Sequence, residues 1–258
     1  MLSFRKAIPR RQEIILGAAG LIAFLGAWQL IAMSGWVKPQ FLPTPPAVLA
    51  AFWRLFTEAG FTSDILISVG RVWFAFLLAV VIAVPLGLLM SCYRSVGAFF
   101  EPFIDFIRYL PVPALVPLLI IWFGVGEASK IAVLWMGVFF QLVLLVTDDS
   151  KRVPAEYIES GFTLGANQWQ VIRDVIFPAA LPNMLDNLRI TLGWCWTYLI
   201  IAEIVAASSG IGHVIWSLRR FVKTPEVMAG IIAIGIIGLL TDQAFRFIHR
   251  RVFTYLDR

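Results

Sequence analysis

The chain has 258 residues, 60% of them hydrophobic and only 14% charged, with a mean hydropathy of +0.84. Soluble domains carry nearer a quarter charged residues, so composition excludes a soluble globular fold and points to a membrane protein. The net charge of +5 implies no nucleic-acid partner, because the basic residues cluster at the ends of apolar runs, where they fix orientation.

Cys92 and Cys195 have no zinc or redox spacing, and His213 and His249 lie far apart, so no metal site is expected. Arg5, Lys6, Arg10 and Arg11 precede an apolar run, Ile14 to Met33, long enough to span a bilayer. No small-x-small cleavage site follows, which favours a retained first span over a secretory signal. Ser34 to Arg71 reads as a long loop. Prolines open it at FLPTPPAVL (Phe41 to Leu49). Ala50 to Phe61 reads as a short amphipathic helix, seated at the interface by Trp36, Phe41, Phe52 and Trp53.

Val72 to Tyr93 is a second expected span, with a kink at Pro85 and Gly87. Arg94 to Asp105 reads as a short polar turn and Phe106 to Gly124 as a third span. Its start, YLPVPALVP, packs Pro111, Pro113 and Pro117 so closely that a regular helix is not expected, since each proline removes a donor and clashes one turn back. Broken backbone at membrane depth is tolerated inside protein or beside a water-filled path. Pro111 to Pro117 is therefore either a pathway element or a shallower, interfacial segment. Gly124 to Lys130 is a tight turn, and Ile131 to Thr147 a fourth span.

Pro154 to Pro182 is a polar island among these apolar runs. Pro154 suits the first turn of a helix, with Glu156 and Glu159 near its positive end. Gly165 can adopt the left-handed conformation that stops it. Asn167 can cap a second helix with Gln170 completing a capping box, and Pro178 and Pro182 end the pattern. The reading is two short helices joined at a glycine corner that presents Phe162, Leu164 and Trp169; an ordinary surface hairpin is the alternative. Leu188 to Ala207 and Val227 to Ile248 are the fifth and sixth spans, the latter with Gly230, Gly235 and Gly238 for close contact. Glu203 falls inside the fifth, where an acid costs on the order of 2.5–3.5 kcal/mol. It is either a pathway or gate residue or a carboxylate tied to Ser, Thr or Arg on a neighbour. Asp186 with Arg189, and Asp242 with Arg246, have helical pair spacing.

Six spans put both termini on one side. Of the 21 Lys and Arg residues, about two thirds then fall on the N-terminal side, which makes that side cytoplasmic. The Pro154–Pro182 loop lies on the same side. No phosphate-binding G-x-x-x-x-G-K-[ST], nucleophile elbow, H-E-x-x-H or dinucleotide fingerprint occurs, so the chain is not expected to be an enzyme or to bind ATP itself. A self-contained carrier or channel remains the alternative to a driven transporter.

The stretch ESGFTLGANQWQVIRDVIFP resembles the EAA loop of ABC-importer permeases, the binding-protein-dependent inner-membrane family. That pattern is E-A-A, three residues, G, nine residues, then apolar-x-apolar-P. Glu159 and Gly165 match it, as do Val175, Phe177 and Pro178; Ser160 and Gly161 replace the alanines. FLPTPPAVL, PVPALVPLLIIWFGVGEASKI, AEIVAASSGIGHVI and TPEVMAGI resemble the subgroup importing nitrate, taurine, other sulfonates or bicarbonate. The resemblance implies an all-α type I permease fold in a bacterial inner membrane. Residues 1–71 form an N-terminal segment and 72–258 a core domain. It further implies a homodimer with a second permease copy, two ATPase subunits that carry ATP and Mg, and an extracytoplasmic binding protein. Glu159, Phe162, Leu164, Gly165, Ala166 and Trp169 would form the ATPase contact. Arg71, Arg219, Arg220 and Lys223 would be outer cations that attract anions or grip an acidic binding protein.

Overall fold

The computed structural model describes residues 8–58, 60–206 and 208–253, which are helical throughout their regular structure. Arg5, Lys6, Ala207 and Arg258 lie outside the described residues. The elements are α1 (Arg10–Met33), α2 (Pro45–Glu58), α3 (Phe61–Cys92), α4 (Arg94–Arg108), α5 (Val112–Phe123), α6 (Glu127–Lys151), α7 (Ala155–Thr163), α8 (Gln168–Gln170), α9 (Phe177–Ala206), α10 (Ile211–Arg219) and α11 (Thr224–Val252). A π-helical turn, Val171–Ile176, joins α8 to α9. Five helices are long and apolar enough to cross a membrane, or six if the bent pair α4–α5 counts as one.

The centre is α3, α6 and α9, whose buried side chains include Phe76, Leu134, Leu142, Leu192 and Leu199. Glycine lets two of these backbones approach. A Cβ on Gly87 of α3 would lie 2.7 Å from Val146 Cγ1 and 2.8 Å from the Val143 carbonyl oxygen of α6. Thr147 Oγ1 donates to the Gly87 carbonyl at 3.3 Å across the same contact. α2 packs Val48, Ala51 and Leu55 inward and leaves Leu49 and Trp53 exposed, the one-sided pattern expected of an interfacial helix. α1 is almost wholly exposed; Trp28 Nε1 donates to the Pro43 carbonyl at 3.0 Å.

Several expectations change. The second span begins at Phe61 rather than Val72, because Asp64, Ser68 and Arg71, polar enough to suggest a loop, recur at helical spacing on α3. Arg94 to Asp105 is no turn but the amphipathic helix α4, which buries Gly97 and Ile104 and exposes Phe99, Phe103 and Phe106. The third span is not one rod: α4 and α5 meet at 103°. α5 alone has 12 residues, about 18 Å of helix against a hydrocarbon core of about 30 Å. The proline run does form a helix. Pro113 sits in the first turn, where no intrahelical donor is needed, so only Pro117 removes a bond inside α5. Nor do Pro178 and Pro182 end the helix that follows the corner. Gln168–Val205 is one span of 38 residues, and the π turn just before Pro178 widens the register where a ring would crowd the preceding turn.

Gly87→Ala is expected to destabilise the protein by about 1–3 kcal/mol through overpacking against α6. Gly20→Ala on α1, where an added Cβ meets nothing within 4 Å, should not. Thermal unfolding of both variants in detergent checks this, and equal melting temperatures would contradict the close α3–α6 approach.

Candidate functional site

The corner between α7 and α8 is closed by local hydrogen bonds. Gly165 has φ 87°, left-handed backbone where glycine is favoured. Its N–H donates to the Phe162 carbonyl at 2.9 Å, and the Ala166 N–H donates to the Gly161 carbonyl at 3.1 Å. These two bonds are the Schellman pattern for ending a helix. Immediately after, the Gln170 N–H donates to Asn167 Oδ1 at 2.9 Å and the Asn167 N–H to Gln170 Oε1 at 2.8 Å, a complete capping box. One helix is thus stopped and the next started within a few residues, so the corner is a fixed shape.

Its outer surface is apolar. Leu164 is 87% exposed and Trp169 63%; Phe162, Glu159 and Tyr157 are exposed beside them, while Ala166 is half-buried. Behind the corner, Gly161 is buried against the π turn, where a Cβ would meet Val171 Cγ2 at 3.3 Å and Val175 Cγ2 at 3.4 Å. Ile172 and Ile176 are buried, whereas Trp169 is exposed. A cavity of about 380 Å³ lies beneath, lined by Cys92, Lys151, Ile158, Phe162, Gln168 and Ile172 among others. Glu159, Phe162, Leu164, Gly165, Ala166 and Trp169 are therefore one structural unit.

The proposed pathway residues are not one unit. Pro111, just before α5, and Pro113 and Pro117 within it are exposed, whereas Val116 and Leu119 are buried. Glu203 is 0% exposed and sits in a charge clasp near the far end of α9. Its Oε1 accepts from Ser68 Oγ and from an Arg71 terminal nitrogen, both at 2.7 Å, and its Oε2 accepts from the Gly212 N–H at 2.7 Å. Arg71, only 4% exposed, also donates from Nε and its other terminal nitrogen to Glu127 at 2.6 Å, and the nitrogen that meets Glu203 donates to the Ser209 carbonyl at 2.8 Å as well. Lys130 Nζ donates to Glu127 Oε1 at 2.8 Å. Arg71 is thus no free outer cation: burial left it needing every partner it has.

The clasp joins α3, α6 and α9 to the start of α10, a helix absent from the sequence reading. The N–H groups of Gly210 and Ile211 donate to Asp64 Oδ1 at 2.6 Å and Ser68 Oγ at 2.9 Å. The first amides of α10, which have no intrahelical acceptor, are capped by side chains of α3 and α9. Gly210 has φ 105°, and a Cβ there would overlap the Glu203 carboxylate. The available signals were the Asp64, Ser68, Arg71 spacing and the Gly210-Ile-Gly212 run following Glu203. At the other end, Arg189 Nε lies 3.1 Å from Asp242 Oδ1, an ion contact without hydrogen-bond alignment, and Arg246 donates to Asp242 at 2.8 Å, linking α9 to α11.

Glu203→Leu is expected to cost about 3–5 kcal/mol, since it leaves the buried Arg71 short of its partner. Glu127→Ala should cost less, because Glu127 is 60% exposed on its side chain and water can replace it. Chemical unfolding of the two variants in detergent tests the order; equal losses would contradict it.

Residues 79–254 match the family described as binding-protein-dependent transport system inner membrane component. The chain is 33% identical to the taurine transport system permease protein TauC of Escherichia coli (strain K12), over 95% of this chain and 90% of that protein. It is 34% identical to the putative aliphatic sulfonates transport permease protein SsuC of Bacillus subtilis (strain 168), over 88% of this chain and 83% of that one. Its fold is similar to a chain in an inward-facing structure of the MetNI methionine ABC transporter, with a TM-score of 0.64 and 21% identity, covering 74% of this chain and 95% of that chain. A bundle of apolar helices with a rigid glycine corner at its end, matched across most of its length, belongs to the binding-protein-dependent transport system inner membrane component family of ABC importer permeases.

Proposed function

We propose that this permease subunit passes a small anion of the sulfonate class across the membrane. The solute would be delivered by an extracytoplasmic binding protein and moved by two separate ATPase subunits that hold the ATP and Mg. In this reading the chain contributes no catalytic group. A second copy completes the path, and both termini and the α7–α8 corner face the cytoplasm, the side favoured by the Lys and Arg distribution. The taurine and sulfonate permeases among its relatives support the substrate class. The exposed apolar face of α5, with Leu118, Ile121, Trp122 and Phe123 beside Pro113 and Pro117, supports a second copy and a lining role for the prolines.

One observation carries the mechanism: the corner is continuous with a helix longer than the bilayer is thick. Gln168–Val205 has 38 residues, about 57 Å. Leu164 and Trp169 offer an exposed apolar surface for an ATPase groove, and the corner bonds resist local deformation. Closure of the ATPase pair would therefore move the helix bundle rather than bend the corner. Glu203 in this reading holds the outer ends of the spans together and does not contact the solute.

Gly165→Val should uncouple ATP hydrolysis from uptake, or prevent assembly with the ATPase, while leaving the spans inserted. No neighbour obstructs the new side chain, so the cost is backbone strain of about 1–3 kcal/mol at a β-branched residue held left-handed. ATP-driven taurine or sulfonate uptake by proteoliposomes, measured with ATP hydrolysis, checks this; normal coupling would show the corner conformation to be dispensable. Uptake by the permease without its ATPase would instead indicate a self-contained carrier.

A further inference from the structure

Behind the α7–α8 corner, the cavity of about 380 Å³ lies where the corner meets the ends of α3 and α6. Sites for small molecules run from roughly 300 to 1,000 Å³, so it is large enough for one. Much of its wall is apolar: Ile158 comes from α7, and the buried Ile172 and Ile176 from the π turn. Its polar lining comes from Ser91 to Tyr93 around the end of α3, from Ser150 and Lys151 at the end of α6, and from Gln168 at the start of α8. Among the described residues no Asp or Glu lines it.

The hydroxyls around this cavity already donate elsewhere. Ser91 Oγ donates to the Leu88 carbonyl at 2.8 Å, Ser150 Oγ to the Val146 carbonyl at 2.7 Å, and the Tyr93 hydroxyl to Gln168 Oε1 at 3.3 Å. The polar capacity left over is donors. Among the described residues the Gln168 amide N–H groups have no acceptor, and Lys151 Nζ meets only Glu101 Oε1 at 3.7 Å, too long for a hydrogen bond. Surplus donors beside an aliphatic wall, with no acid among them, complement an anion that carries an aliphatic body. The seam is also lightly held. Among the described residues the Tyr93–Gln168 bond is the only hydrogen bond from the ends of α3 and α6 to the corner.

We propose that this cavity binds a single-headed aliphatic anion, a sulfonate or a carboxylate, and that its occupancy restrains the corner. The charged head meets Lys151 and the Gln168 amide, and the chain lies against Ile158, Ile172 and Ile176. The restraint rests on the function proposed above, in which the corner receives the ATPase; the binding does not. A ligand that touches α6, α7 and α8 together adds a bridge across a seam held by one hydrogen bond, and it favours whichever arrangement of the seam it binds best. An aliphatic sulfonate accumulating on the corner's side of the membrane would then slow its own further uptake.

The test uses the assembled transporter in nanodiscs and reads the thiol in the cavity wall. Cys92 lines the cavity and is half-buried, whereas Cys195 is 0% exposed. Labelling of the Cys92 peptide by N-ethylmaleimide, followed by mass spectrometry, therefore reports occupancy without any transport. 1-Octanesulfonate and octanoate should each protect Cys92, and the uncharged 1-octanol should not. Lys151→Gln should raise the half-protecting concentration about tenfold, through loss of a charge-assisted contact. Lys151→Arg should keep the protection of the parent, as should Arg152→Gln, whose side chain is 73% exposed and outside the lining. Equal protection by octanol and octanesulfonate, or no difference between Lys151→Gln and the parent, would overturn the anion site. Protection by octanoate alone would overturn the sulfonate feedback. ATP hydrolysis should fall over the concentrations that protect Cys92, and unchanged hydrolysis would overturn the restraint. Protection that persists in a permease unable to couple to its ATPase would remove the function proposed above and leave the binding site standing.

Discussion

Arg71 and Glu203 are buried in a bundle whose surroundings are hydrocarbon, and a buried ion pair stabilises a fold only when its remaining polar atoms are also met. That requirement explains much of the end of the molecule where α9 gives way to α10. Glu203 takes Ser68 and the Gly212 amide; Arg71 takes Glu127 and the Ser209 carbonyl. To supply these partners, α10 must begin beside α9. The chain must reverse at Gly210, in a conformation that leaves no room for a Cβ. The bonds work both ways, because the first amides of α10 have no other acceptors. α10 and the ion pair therefore stabilise each other, and neither is expected to persist alone.

The same helix carries both sites. Glu203 lies toward one end of Gln168–Val205, and Asn167 and Gln170 fix the other end at the corner. A continuous helix of about 57 Å lets a displacement at the corner reach the clasp without passing through a loop. The π turn and Pro178 interrupt its hydrogen-bond ladder close to the corner, in the part that α7 braces through Gly161 against Val171 and Val175. Such breaks are where helices kink, so the brace from α7 sits against the part of the helix that is easiest to bend. The permease motif's small residues after Glu159 fit this packing, since a side chain larger than alanine at Gly161 would separate α7 from that helix.

The corner was legible in the sequence because its parts are local: a left-handed glycine, a capping box and helical spacing need no knowledge of distant residues. The core spans were legible for the same reason, through long apolar runs. The clasp was not, because its members come from segments far apart in the chain, Ser68 and Arg71 from one side and Glu203 and Gly212 from the other. Asp64 and Arg71 even misled, since charge near the start of an apolar run reads as loop until a partner for it is known. α4 was missed because its aromatic face is exposed and Arg94, Glu101 and Asp105 give it a polar profile. Proline density misread α5 for a different reason: the penalty depends on position within a helix, and Pro113 falls where it is nearly free.

Stiffness is unevenly distributed, and this limits how the bundle can rearrange. The corner is closed by a Schellman pair and a reciprocal capping box, and the ends of α3, α6 and α9 that meet α10 are closed by the clasp. The joint between α4 and α5 has far less: the amides of Tyr109, Leu110 and Ala114 reach carbonyls one turn back, and Pro111 and Pro113 have no amide to donate. Rotation there sacrifices few bonds, whereas rotation at the corner would break four local bonds and rotation at the clasp would unpair buried charges. A rearrangement that keeps those two sites intact must therefore be absorbed largely where α4 turns by 103° into α5. That joint carries the exposed prolines.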